Sequence, residues 1–180
     1  MSESSGGTLT EADLRSLIRD VPDFPKPGVM FKDLTPLLAS AQSLSATVDL
    51  LTAPWRDRGV TVVAGIEARG FLLAPMVAER LGVGMVPLRK PGKLPWKVVA
   101  EEYALEYGTD KLEIHEDAVG PGDRVLLIDD VLATGGTAGA GVRLLERCGG
   151  VVVGCAFVIE LGFLAGRAAL AAETTSVLLY

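Results

Sequence analysis

The stretch from Val125 to Thr137 reads Val-Leu-Leu-Ile-Asp-Asp-Val-Leu-Ala-Thr-Gly-Gly-Thr, and it leaves the chain few folds to choose from. Its leading apolar run, Val125 to Ile128, is the mark of a strand buried on both faces, as in a parallel sheet. Asp129 and Asp130 stand where that strand is expected to end. A loop rich in Gly and Thr follows, and from about Gly136 the pattern turns helical, with Val142, Leu144 and Leu145 as apolar positions. In an open α/β sheet, ligands sit beyond the carboxyl ends of the strands, where the next helix points its free N–H groups.

Residues Ala133, Thr134, Gly135, Gly136 and Thr137 would therefore place backbone N–H groups, two hydroxyls and a helix N-terminus around one anion. The glycines keep no side chain between backbone and phosphate. A P-loop is excluded because no Lys follows them, and a dinucleotide fingerprint because the acids precede the glycines. Two carboxylates facing a phosphate would repel it. They make sense as acceptors for hydroxyls further along the same ligand, and a ribose 5-phosphate has that layout. An ordinary strand-to-helix turn accounts for the glycines but not for an acid pair at a buried strand's end, which is costly without partners.

This segment resembles the phosphoribosyl-pyrophosphate (PRPP) signature of the type I phosphoribosyltransferases. That resemblance implies Asp129 and Asp130 on the ribose hydroxyls and residues 133–137 on the 5-phosphate. It also implies Mg²⁺ carried by PRPP or pyrophosphate rather than by a protein cage.

A chain of 180 residues suits a single α/β domain with a substantial core. Residues 1–9 read as a disordered tail without the features of a signal peptide, and no apolar run reaches membrane-span length. Cys148 and Cys155 form neither a disulfide framework nor a metal spacing, which fits a reducing cytoplasm. His115 is the only histidine, has no nucleophile motif nearby, and reads as a surface strand residue. A net charge of −6 argues against nucleic-acid binding. Positive charge is instead concentrated in Arg89, Lys90, Lys93 and Lys97.

Taken in order, Thr10-Glu-Ala-Asp13 is an N-cap with a carboxylate at N3, opening a helix through Leu14, Leu17 and Ile18. Three prolines and a glycine forbid long regular structure over residues 23–36, and Phe31 offers a ring to a planar ligand. A helix is expected from Ser40 to about Arg56 and a buried strand over Thr61–Ile66. Glu67-Ala-Arg-Gly70 then leads into a helix from about Phe71 to Leu81. This second strand–turn–helix unit, with Arg69, suits another anion such as pyrophosphate. A third strand spans Gly84–Leu88, and the basic loop from Arg89 runs into a β-ribbon around Tyr103–Tyr107 and Lys111–Ile114. Beyond the organising motif come a strand over Val151–Ile159, a short helix over Phe163–Ala172 and a closing strand over Ser176–Tyr180. The βαβα alternation implies a mostly parallel sheet flanked by helices.

The segment Phe24-Pro-Lys-Pro-Gly-Val-Met-Phe31 resembles the N-terminal signature of adenine phosphoribosyltransferases, and Leu105-Glu-Tyr-Gly108 resembles their lid motif. The family's pattern implies that Phe31 stacks on adenine and that Lys32, an Arg in some members, lies at the base site. Arg69 falls in the pyrophosphate loop, where a strained or cis peptide near Glu67–Ala68 is expected. Arg89, Lys90 and Lys93 reach pyrophosphate from a lid region, 89–115, in part across a homodimer interface. Glu106 is the acid/base, with Arg69 aiding catalysis and Tyr107 nearby. The reaction implied is purine salvage: adenine and PRPP to AMP and pyrophosphate in the cytoplasm, with no nucleic-acid or membrane partner. Two alternatives stay open: transfer to another base, or a PRPP- or nucleotide-sensing regulator on the same fold.

Overall fold

The computed structural model describes residues 9–104 and 109–180, and the chain divides into two compact units, Met1–Asp49 and Leu50–Tyr180.

The first unit opens with α1 (Glu11–Ser16), held by the expected capping box. Thr10 Oγ1 accepts from the Asp13 amide, while the Asp13 carboxylate accepts from the Thr10 amide at 2.8 Å. β1 (Arg19–Pro22) and β2 (Met30–Asp33) pair antiparallel. The turn between them carries a cis Phe24–Pro25 bond and positive φ at Asp23 and Gly28. Asp23 closes it by accepting from the Gly28 amide at 2.7 Å. Phe24 meets Phe31 edge to face, with ring centroids 5.1 Å apart. α2 (Thr35–Leu38) is a single turn, and α3 (Ala41–Thr52) follows. α3 stops short of the expected Arg56. Pro54 has no amide hydrogen to continue the ladder, so residues Ala53–Trp55 tighten into a 3₁₀ turn.

The second unit is built on β3 (Val62–Ile66), whose residues are all buried. α4 (Gly70–Leu81) and β4 (Gly84–Leu88) complete the first βαβ crossover. β5 (Val98–Ala104) and β6 (Thr109–His115) form the expected antiparallel ribbon. Next come β7 (Arg124–Leu132), α5 (Gly136–Arg147), β8 (Val151–Glu160) and β9 (Thr174–Leu179). The sheet order is β4-β3-β7-β8-β9 with every neighbour parallel, as the apolar runs require. The core on the ribbon side joins Ile66, Leu127, Phe157 and Leu144 with Leu112 and Ile114.

Three expectations are corrected. β7 does not stop at the acid pair but continues to Leu132, because β8 runs far enough to pair Val131 with Ile159 and Leu132 with Glu160. The segment after β8 is not a helix over 163–172 but two short 3₁₀ turns, Gly162–Leu164 and Gly166–Ala169. Ala165, at φ 52°, sits in the left-handed region between them and ends the first turn. His115 is half-buried rather than a plain surface residue, with Nε2 enclosed and no hydrogen-bond partner.

Candidate active site

The carboxyl ends of β3 and β7 lie side by side, and the polar turns that follow them form one cluster. After β3, the Glu67–Ala68 peptide is cis, and Arg69 caps α4. A Cβ on Gly70 would stand 2.8 Å from the Ile128 carbonyl oxygen and 3.1 Å from Asp129 Oδ1. Only glycine lets the start of α4 come this close to β7, which brings a helix N-terminus against the first acid of the pair.

Successive strand residues point to opposite faces, so Asp129 and Asp130 divide their tasks. Asp130 is buried, and its Oδ2 accepts from Arg69 Nε. Asp129 is half-buried, with Oδ1 accepting from the Asp130 amide at 2.9 Å. Desolvation first, and the Asp130 charge second, hold the Asp129 carboxyl well above the usual range. Asp130 is therefore paired with a cation, and the two carboxylates lie side by side where hydroxyl donors could meet them.

The loop after β7 turns at Gly135, with φ 81°, and the Gly139 amide donates back to the Gly135 carbonyl at 2.8 Å. Ala133, Thr134 and Gly135 form a bend whose amides precede the α5 N-terminus at Gly136. Thr137 Oγ1, on the first turn of α5, lies 3.3 Å from Tyr103 Oη on the ribbon.

The basic residues converge on Glu67. Its Oε1 accepts from Lys93 Nζ at 2.5 Å and Arg89 Nη2 at 3.5 Å, and its Oε2 accepts from the Lys90 amide at 2.9 Å. Burial alone would raise this carboxyl. The hydrogen bonds from Lys93, Lys90 and Arg89 outweigh it and hold the group at about 2. Lys90 Nζ turns instead to Tyr103 Oη, at 2.8 Å, and to the Asp110 carboxylate. Burial there would lower the ammonium's pKa, but the bonds to Asp110 and Tyr103 raise it. The Arg89 guanidinium also lies 5.8 Å from the centre of the Phe71 ring. Contacts thus run unbroken from Thr137 through Tyr103 and Lys90 to Glu67, Arg89 and Lys93.

Sequence reasoning placed Arg69, Arg89, Lys90, Lys93, Asp129, Asp130 and residues 133–137 at a site, and the second unit brings these together. It missed Glu67, Tyr103 and Asp110, the groups that organise the cations. Glu67 stood in the quoted motif beside Arg69, but nothing in its spacing says that it faces three donors from a later loop. Phe31 and Lys32 belong to the first unit, where Lys32 Nζ donates to Asp20 Oδ1 at 2.6 Å. Glu106 and Tyr107 lie outside the described residues.

A parallel sheet whose central strand carries an acid pair in its last turn of pairing, followed by a Gly-Gly turn into a helix, has the form of a phosphoribosyltransferase-type domain. The family model described as "Phosphoribosyl transferase domain" matches residues 42–170. The chain is 54% identical over 172 residues to the adenine phosphoribosyltransferase of Myxococcus xanthus (strain DK1622), covering 96% of this chain and 94% of the relative. The crystal structure of adenine phosphoribosyltransferase from Rhodothermus marinus DSM 4252 superposes with a TM-score of 0.90 at 52% identity, covering 94% of this chain and 98% of that one. The Saccharomyces cerevisiae enzyme, complexed with an imino-altritol bisphosphate and adenine, superposes with a TM-score of 0.88 at 35% identity, covering 93% of this chain and 97% of that one. The chain belongs to the adenine phosphoribosyltransferase family.

Proposed function

We propose that the site transfers the 5-phosphoribosyl group of PRPP to adenine, forming AMP and pyrophosphate in purine salvage. The observation that carries this reading is the juxtaposition of a Gly-rich anion loop, an acid pair and a cation cluster around the ends of two neighbouring parallel strands. The phosphate end, the diol and the diphosphate of PRPP match those groups in order.

The bond between C1 and the pyrophosphate oxygen breaks as the bond from adenine N9 to C1 forms, and the N9 proton must leave. Residues 133–137 hold the 5-phosphate through backbone amides and the Thr134 and Thr137 hydroxyls. Asp129 and Asp130 accept from the 2- and 3-hydroxyls. Arg69, with Arg89, Lys90 and Lys93, meets charge that grows on the departing diphosphate, an electrostatic contribution that strengthens toward the transition state. Phe31 and Lys32 hold the base, Glu106 handles the purine proton with Tyr107 beside it, and segment 89–115 acts as a lid that excludes water.

Mg²⁺ brought in on PRPP would neutralise the diphosphate further. Of the carboxylates at this site, Glu67, Asp110 and Asp130 already accept from Lys93, Lys90 and Arg69, which leaves few acidic oxygens for an ion. A donor set of that size suits an ion that takes most of its ligands from water and substrate. The two thiols, Cys148 and Cys155, are free, as a reducing compartment such as the cytoplasm requires. No helix among the described residues is long and apolar enough to cross a membrane. A homodimer, the family's arrangement, is part of the same reading.

Incubating the protein with PRPP, Mg²⁺ and a panel of bases tests it. Adenine should be consumed with equimolar release of AMP and pyrophosphate. Turnover of hypoxanthine in its place would overturn the assignment of the base. In the same assay Glu106→Ala should lower kcat far more than it weakens AMP binding, and an unchanged kcat would remove Glu106 from the acid/base role.

A further inference from the structure

The 5-phosphate loop has a back as well as a face, and the segment between β8 and β9 turns over that back. A Cβ on Gly166 would stand 2.2 Å from the Ala133 carbonyl oxygen. One on Gly135 would stand 2.3 Å from the Gly166 carbonyl oxygen and 2.9 Å from Ala169 Cβ. A Cβ on Gly139, one turn into α5, would come within 3.2 Å of the Ala169 carbonyl oxygen. Main chain meets main chain here with no side chain between. The Leu161 amide also donates to the Leu132 carbonyl at 2.9 Å, which ties the start of the segment to the end of β7.

No long helical ladder holds this segment in place, and its apolar contact with the core is limited to partly buried residues such as Leu170 and Ala172. It consists of two short 3₁₀ turns, and Phe163 is 77% exposed. Its anchor is a fork. Arg167 Nε and Nη2 donate to the two oxygens of Glu160 at 2.6 and 2.7 Å, and Nη1 donates to the Thr174 carbonyl at 2.6 Å. Ser176 Oγ donates to Glu160 Oε2 at 2.6 Å. Glu160, at the end of β8, is 5% exposed, so its carboxylate is compensated almost wholly by these donors. The Arg167 guanidinium, against the effect of burial, holds that carboxyl below its usual range.

We infer that Glu160 and Arg167 are positioning residues for phosphate binding: the fork fixes Gly166, and the Gly166 main chain fixes the loop from Ala133 to Gly135. This rests on the reading that residues 133–137 hold the 5-phosphate. Neither side chain touches substrate. The loop grips the phosphate alike before and during the reaction, so loosening it removes binding common to ground and transition states. Such a loss raises KM for PRPP while leaving kcat nearly alone.

The test measures KM for PRPP, KM for adenine and kcat in Arg167→Met, Arg167→Lys and Ser176→Ala, with Thr137→Ala as the variant of the loop itself. Arg167→Met should raise KM for PRPP by about tenfold while kcat and KM for adenine move by less than about threefold. Arg167→Lys keeps the charge but not the fork and should fall between. Inhibition by ribose 5-phosphate should weaken in parallel with KM for PRPP. If Thr137→Ala raises KM for PRPP and the Arg167 variants do not, the positioning role is overturned and the phosphate loop stands. If Thr137→Ala also leaves it unchanged, the loop reading falls and this inference with it. A loss of kcat in proportion to the folded fraction, with both KM values unchanged, would also overturn the role. Should Arg167→Met fail to fold, an unchanged KM for PRPP in both Arg167→Lys and Ser176→Ala would do the same.

Discussion

At the scale of single residues, the site is governed by carboxylates rather than by the cations that drew attention in the sequence. The Glu67 side chain is 12% exposed, and it gathers Arg89, Lys93 and the Lys90 amide. Its pKa of about 2 lies below the ordinary 4.5, so the folded state is favoured by this group above its unfolded value. That contribution is lost as pH falls from about 4.5 through about 2. Glu67→Gln should therefore flatten the fall of the thermal midpoint with acid over that window, and parallel curves for the two proteins would refute it. The same variant should weaken PRPP binding, because Arg89 and Lys93 lose the acceptor that aligns them. At the acid pair, Asp130→Asn removes the negative charge that adds to burial in raising the Asp129 carboxyl. The Asp129 pKa should then drop, read from its carboxyl carbon shift by NMR, and no change would mean that the two acids are not coupled.

At the scale of elements, Glu101 straps the ribbon of β5 and β6 to α5. Glu101 accepts from Arg143 Nε at 2.7 Å and Arg147 Nη1 at 2.8 Å, and Arg147 also donates to the Ala100 carbonyl at 2.9 Å. The arginines stand one helical turn apart, so both reach the same carboxylate. The Arg143 bond leads in holding the Glu101 carboxyl below its usual range. Both guanidiniums are about half exposed, 51% and 53%, so solvent screens much of the attraction. Glu101→Gln should change the global unfolding free energy by about 1 kcal/mol or less. Amide exchange in β5 should nonetheless quicken, since the strap acts on one element. Unchanged exchange rates across Val98–Ala104 would show that apolar packing, not the strap, secures the ribbon.

At the scale of the whole molecule, the larger unit depends on close approaches that only small residues permit. Gly154 in the middle of β8 is the sharpest case. A Cβ there would stand 1.9 Å from Trp55 Cη2, and Trp55 is 1% exposed, with Nε1 donating to Thr175 Oγ1 at 3.3 Å. The ring fills the space that a side chain on β8 would take. Gly154→Ala should destabilise the protein by about 1–3 kcal/mol or more through overpacking, read by urea unfolding followed with tryptophan fluorescence. A loss below about 0.5 kcal/mol would mean that the indole can move aside.

Much of this was legible in the chain. Apolar runs such as Val125–Ile128 determined parallel strands because nothing else buries both faces of a short strand. Thr10 and Asp13 determined a helix start, and the Gly135-Gly136 pair marked the turn into α5, since each is a matter of local backbone chemistry. What stayed hidden depends on partners distant in sequence. β7 reaches Leu132 only because β8 offers Glu160 as its pair. Glu67 becomes a hub only where the loop after β4 returns to it, and Gly166 shapes the phosphate loop only because Arg167 finds Glu160. Local pattern decided which elements form, whereas contact between distant segments decided which charges meet.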